Sequence, residues 1–127
     1  MNKQEMIQRL NEINFKKDAY WLITGGAMVL YGLREHTNDI DLGCHPCLAD
    51  QLEKAGYPVT KLDDGTRKIV YDKDIEIFED WLCGEVEMLE GIPVISLEGL
   101  REMKKQLGRA KDWRDIQLID QFLKWAE

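Results

Sequence analysis

Two aspartates one residue apart, in Asp39-Ile40-Asp41-Leu42, are the side chains of this chain best placed to do chemistry. On a strand, alternation sends Asp39 and Asp41 to one face and Ile40 and Leu42 to the other, with the carboxylates about 7 Å apart along the backbone. Like charges side by side on a sheet repel, and a divalent cation relieves the repulsion. Mg²⁺ suits this donor set, because it takes oxygen ligands from one or two carboxylates together with substrate phosphates. Upstream, an apolar run from Tyr20 breaks at Gly25-Gly26, and Ala27, Val29, Leu30 and Leu33 follow at helical spacing. The pattern is strand, glycine turn, helix. Backbone without Cβ atoms lets a phosphate approach closely, and the helix N-terminus offers free N–H groups and partial positive charge. Cation site and phosphate cradle then face one cleft, with Arg34 and Thr37 either orienting a phosphate or fixing the loop before the aspartates.

Two further features bear on that cleft. Glu76 stands alone between Ile75 and Ile77 on a later alternating run, while Asp72 and Asp74, its rivals, flank Lys73 in what reads as a tight turn. Lys104, Lys105, Arg109 and Lys111 make a local basic cluster that either clamps a triphosphate or forms a solvated helix face.

Gly25-Gly26, then Arg34, Thr37 and Asp39-Ile40-Asp41-Leu42, together resemble the signature of the DNA polymerase beta-like nucleotidyltransferase superfamily in its minimal, small-domain form. Gly108-Arg109-Ala110-Lys111-Asp112 before a terminal helix is similar to a recurrent feature of the small members. The resemblance covers nearly the whole chain. It implies an α/β (α+β) fold, a short mixed β-sheet flanked by helices, that binds NTP and Mg²⁺ and transfers an NMP group to an acceptor hydroxyl. Asp39 and Asp41 would ligate two metal ions, and Glu76, where Asp is the commoner occupant, would ligate the acceptor-side ion. Gly25 and Gly26 would cradle the β- and γ-phosphates, with Arg34, Thr37, Arg109 and Lys111 as further contacts. The common Gly-Ser pattern is Gly-Gly here, so a hydroxyl is lost and Thr24 is its nearest substitute. The acceptor stays open between a small molecule such as an antibiotic, an RNA end and a protein. The alternative is a catalytically silent nucleotide-binding or interaction module of the same fold, such as a toxin–antitoxin component.

At 127 residues the chain fits one domain, residues 1–127. A formal net charge of −7 argues against binding long nucleic acid, which needs a basic surface, but admits a nucleotide or a short RNA end. No apolar run approaches a membrane span and the N-terminus lacks a signal peptide's apolar region, so the expected location is cytoplasmic, with no membrane partner. Shortness suggests an acceptor pocket completed by a second copy or a partner protein. Three cysteines argue against a disulfide framework. Cys44-His45-Pro46-Cys47 has C-x-x-C spacing without the further ligands a structural zinc needs, and reads more simply as the start of the next helix.

The elements that must position these residues follow in order. Asn2–Asn14 reads as an amphipathic helix and a first strand begins near Ala19. After the aspartate strand, residues 43–46 read as a turn and 48–55 as a helix stopped by Gly56. Residues 58–62, 67–71 and 75–78 alternate as strands. Residues 81–88 read as a short helix or a lid, and 91–95 as an edge strand because Pro93 cannot donate to a ladder. Ser96 caps a helix over 97–107, and 112–126 presents Trp113, Ile116, Leu118, Ile119, Phe122, Leu123 and Trp125 as a wide packed face.

Overall fold

Asn2 opens the first helix, α1 (Lys3–Ile13), through a capping box in which the Glu5 N–H donates to its side chain and its own N–H donates to Glu5. The computed structural model describes residues 1–126, with side chains as far as Lys124. Strand β1 (Tyr20–Ile23), buried throughout, runs directly into α2 (Thr24–Leu30). The expected glycine turn is not there, because Thr24 takes the sharp step itself at φ 51° and both glycines are already helical. Then follow β2 (Ile40–Cys44), α3 (Pro46–Lys54), β3 (Val59–Lys61), β4 (Arg67–Val70), β5 (Ile75–Glu79), β6 (Val86–Leu89), β7 (Ile92–Ile95), α4 (Leu97–Leu107) and α5 (Ala110–Ala126).

The strands form one seven-stranded mixed sheet in the order β3-β4-β5-β2-β1-β7-β6. Its centre is the parallel pair β2–β5, with the antiparallel pair β1–β2 beside it. Alternation divides the sheet into unlike faces. Leu22, Leu42 and Ile77 are in register on one face and fully buried. Trp21, Asp41, Gly43, Glu76 and Phe78 belong to the other. Helices α1 and α2 meet over the apolar face, where Met6 and Leu22 are the nearest neighbours of Gly26.

Several expectations are corrected. Gly43 and Cys44 continue β2 rather than turning, because the missing Cβ at Gly43 makes room for the Trp21 indole, whose Nε1 donates to the Trp81 carbonyl at 2.8 Å. Residues 81–88 are neither helix nor lid: their second half is β6, which pairs with β7 and becomes the sheet edge. Strand β7 is therefore internal. Pro93 is tolerated there because β7 shares only the Leu22↔Val94 position with β1. On α5, Trp113, Leu118 and Phe122 are exposed, since the inward stripe is taken by Asp112, Asp115, Ile116 and Ile119. Trp125 lies outside the residues whose side chains are described. Cys44 is buried in β2, its thiol pushed up to about 12 by burial and then by the charges of Glu79 and Asp80, while Cys47 is exposed on α3.

Glu79 and Arg67 tie β5 to β4, with Arg67 Nε donating to Glu79 Oε1 at 3.1 Å and Nη1 to Asp50 on α3 at 2.8 Å. The Arg67 hydrogen bond holds the Glu79 carboxyl below the usual glutamate range against its own burial. A depressed native value contributes stability above the unfolded value of about 4.3 and loses it as pH falls through the folded one. Glu79→Gln should therefore flatten the loss of stability between neutral pH and the acid side of that window, measured by denaturant titration at each pH. Gly43→Ala should cost about 1–3 kcal/mol in the same assay at neutral pH, because the Trp21 ring and the Trp81 carbonyl leave no space for a methyl group.

Candidate active site

Sheet register brings the acidic residues together before any side chain packs. Antiparallel pairing sets Ile23 opposite Asp41, so Thr24 at the end of β1 falls beside that aspartate; parallel pairing sets Asp41 opposite Glu76. Asp39 sits just before β2, its carbonyl accepting from the Thr37 hydroxyl at 2.9 Å. Asp39, Asp41 and Glu76 line one cavity of about 240 Å³ together with Thr24, Gly25 and Thr37. Asp72 does not belong to it: its Oδ1 accepts the N–H groups of Asp74 and Ile75 at 2.8 and 3.0 Å and so closes the turn before β5.

Asp41 has a hydrogen-bonding neighbour and Glu76 a charged one. The Thr24 hydroxyl donates to Asp41 Oδ2 at 2.8 Å, from a residue held at φ 51°, a conformation that is costly for a β-branched side chain. Lys68 Nζ, from β4 on the same face, lies 2.8 Å from Glu76 Oε2. Burial raises the Asp41 carboxyl above the usual aspartate range, the Thr24 hydrogen bond opposes it, and the charges of Asp39 and Glu76 add to the rise. The carboxylates share a cavity but do not close on a point: among the described residues no three His, Cys, Asp or Glu side chains are spaced to hold a metal ion. The donor chemistry, all oxygen with mutually repelling charges, suits a hard dication such as Mg²⁺, and Asp39, Asp41 and Glu76 would have to draw closer together to hold it.

The same cavity also has a basic lining. Arg34 Nη2 donates to both oxygens of Asp115, at 2.8 and 2.6 Å. Gly25 makes this approach possible, since a Cβ there would lie 2.9 Å from Arg34 Nη1 and 3.2 Å from Thr37 Oγ1. Lys104, only 3% exposed, reaches Asp115 at 2.8 Å and Asp112 at 3.6 Å. Asp112 also accepts from the Arg109 backbone N–H at 3.1 Å and from its Nε at 2.7 Å. Burial alone would raise the Asp112 carboxyl, but the Arg109 hydrogen bonds and the Lys104 charge outweigh it and hold it below the usual range. Arg34, Lys104, Arg109 and Lys111 all line the cavity, and Lys111 has no ion pair among the described residues.

Gly26 is corrected. It is not among the residues lining the cavity, and a Cβ on it would meet Leu22 and Met6 in the core, so its lack of a side chain serves helix packing while Gly25 borders the cleft. Sequence reasoning also missed Asp112, Asp115 and Lys68, and took Lys104 for a solvated residue or a phosphate clamp. The signal for Asp112 and Asp115 was their place with Ile116 and Ile119 on one helical stripe, where acids are unexpected unless paired.

No family model matches the chain, and no curated protein matches it in sequence. Solved structures do share its fold. The crystal structure of a candidate nucleotidyltransferase from Thermotoga maritima (TM1012) is similar with a TM-score of 0.64 at 18% identity, covering 92% of this chain and 93% of that one. The lincomycin-bound lincosamide antibiotic adenylyltransferase LnuA is similar with a TM-score of 0.56 at 21% identity, covering 94% and 98%. The chain has a nucleotidyltransferase-like α/β fold.

Replacing Asp115 by Asn leaves Lys104 underpaired in the interior, so it should cost about 3–5 kcal/mol of unfolding free energy. Arg34→Ala should cost clearly less, because that side chain is 35% exposed and water can replace its partner. Equal losses in denaturant titrations would mean that Arg34, not Lys104, is what Asp115 compensates.

Proposed function

We propose that the chain is a Mg²⁺-dependent nucleotidyltransferase that moves an NMP group from an NTP to an acceptor hydroxyl. The observation that carries this reading is one cavity, bordered by Gly25, that is lined both by Asp39, Asp41 and Glu76 from the sheet and by Arg34, Arg109 and Lys111 from the segments around it. One set suits a dication and the other a polyphosphate, and both are needed only when metal and phosphate are bound together. The likeness in fold to the two transferase structures supports the same reading. A pocket of this volume accommodates phosphates rather than a whole nucleotide, leaving base and acceptor to the open side.

In the proposed reaction the acceptor oxygen bonds to the α-phosphorus, the bond from that phosphorus to its bridging oxygen breaks, and pyrophosphate leaves with the electron pair. Bound Mg²⁺ would supply the positive charge that polarises the phosphoryl oxygens and lowers the repulsion met by the acceptor oxygen. Arg34, Arg109 and Lys111 orient the β- and γ-phosphates and stabilise the charge that develops on them. Glu76, once released from Lys68, takes the hydroxyl proton on its Oε2. Asp41 keeps Thr24 aligned along the cavity floor.

One observation favours a second reading. The Lys68–Glu76 pair already neutralises the third acid, as a catalytically silent module that binds nucleotide without transferring it would allow. Calorimetric titration with NTP, with and without Mg²⁺, separates binding from its absence. Metal-dependent binding is expected, and Asp39→Ala/Asp41→Ala should weaken it by at least roughly tenfold, about 1.4 kcal/mol. Incubation with each α-labelled NTP and a cell extract, followed by sizing, should then label one fraction: small molecule, RNA or protein. Binding without label in any fraction would select the silent module.

A further inference from the structure

Strand β5 leads away from the active-site cavity into a second one. Alternation puts Glu76 and Phe78 on the same face, and the row continues towards Asp80, just past the strand end. Phe78 lines the first cavity. Its ring lies 4.5 Å from the Trp81 ring, tilted by 30°, and Trp81 lines the second cavity, of about 290 Å³. Helix α4 forms the other side of the partition, giving Lys104 to the first cavity and Met103 and Leu107 to the second.

The chemistry changes across that partition. The second cavity has an apolar floor of Trp81, Leu82, Met103 and Leu107, and two acids, Asp64 and Asp80, at its rim. Neither acid has an ion pair among the described residues. Asp64 Oδ1 accepts from the Thr66 N–H and hydroxyl at 2.9 and 2.6 Å, which leaves Oδ2 open. Asp80 is exposed and held at φ 60°.

We propose that this second cavity is an acceptor subsite for a small molecule with an apolar or aromatic body and a protonated amine. The proposal rests on the transfer reading of the first cavity and names the class of molecule that reading left open. Three residues separate Glu76 from Asp80, a rise of about 13 Å, so a drug-sized molecule seated on Trp81 with its ammonium at the acid rim would reach over Phe78 to bring a hydroxyl to Glu76. A cation over an indole face and beside carboxylates is favoured twice, by the ring quadrupole and by charge. The donor's triphosphate is repelled from the same rim, and its base carries no positive charge to match it.

The test uses the chain of residues 1–127 and three matched probes: phenethylammonium, 2-phenylethanol and phenylacetate. Two-dimensional ¹⁵N NMR follows the Trp81 indole N–H and the Gln106 side-chain amide, both on the cavity wall. Phenethylammonium should shift both signals and bind at least fivefold more tightly than 2-phenylethanol, with no response to phenylacetate. Asp80→Asn and Asp64→Asn should each weaken the ammonium at least threefold. Both keep the local structure, because Asn tolerates the left-handed conformation at residue 80 and its carbonyl can accept the Thr66 bonds. Equal binding of the three probes, silence of both signals, or a response to adenosine in preference to the amine would overturn the proposal, the last by making the cavity a nucleobase site. Titration with Mg²⁺ and α,β-methylene-ATP, followed at the Gly25 and Asp41 amides, tests the first cavity separately. If it responds to nucleotide and the amine test fails, only the acceptor proposal falls. If the amine binds and nucleotide does not, the transfer reading falls and the ligand class of the second cavity stands.

Discussion

Two ionised carboxylates on the inner stripe of α5 hold the site in shape. Asp112 is fully buried and Asp115 is 4% exposed, positions where an unpaired charge costs several kcal/mol of desolvation. They are tolerable only with cations in contact, and the cations come from separate parts of the chain: Arg34 after α2, Lys104 on α4, Arg109 at the entry to α5. The loop after α2 is thereby tied to the α4–α5 corner, 81 residues away in sequence. Against two carboxylates the three cations leave one positive charge in excess, aimed at the cavity and already positioned. A receptor whose charges are fixed beforehand loses little entropy when an anion arrives.

The acidic side follows from a different constraint. Parallel pairing of β2 with β5 fixes Asp41 beside Glu76, whatever their side chains prefer. Such a pair is unfavourable on a sheet, and the chain offsets it locally with the Thr24 hydroxyl and the Lys68 ammonium. Both compensating groups can move aside: a hydroxyl rotates and a lysine has a flexible stem. The acids are thus stabilised in a way that a cation entering the cavity can replace. On the basic side Lys104, buried and paired with Asp115, has no such freedom, and Arg34 and Arg109 are each held by two or more hydrogen bonds to an aspartate.

Period and capping made most of the fold legible in the sequence. The helix from Ser96 to Gly108 is bounded by its cap and its terminal glycine, and α1 shows in its apolar stripe, because those signals are local. Residues whose role depends on a distant partner were misread. Gly43 looked like a turn because nothing nearby announces that Trp21 needs its space. Strand β7 looked like an edge because the segment that covers it, β6, carries a weak pattern of its own. Trp113, Leu118 and Phe122 looked like core because hydrophobicity was taken to choose the inward face of α5, whereas the ion network chose it. The positions of Asp41 and Glu76 along their strands could be read from alternation, whereas Asp39 lies just before β2, and Lys68 and Thr24 as neighbours of the acids could not be read at all.

The fold and the charges answer to different demands, which gives the charges their value as evidence. At 18% and 21% identity the two solved structures keep the same architecture, since strand register and core burial require alternation and volume rather than particular residues. Neither demand calls for acids and cations on the lining of one cavity. A sheet with apolar residues at 41 and 76 would pair as well, and α5 would pack more cheaply on leucines than on Asp112 and Asp115. Clustered charges of both signs that stability does not require, at the meeting point of two independently built parts of the fold, support the proposed binding of a metal and a polyphosphate.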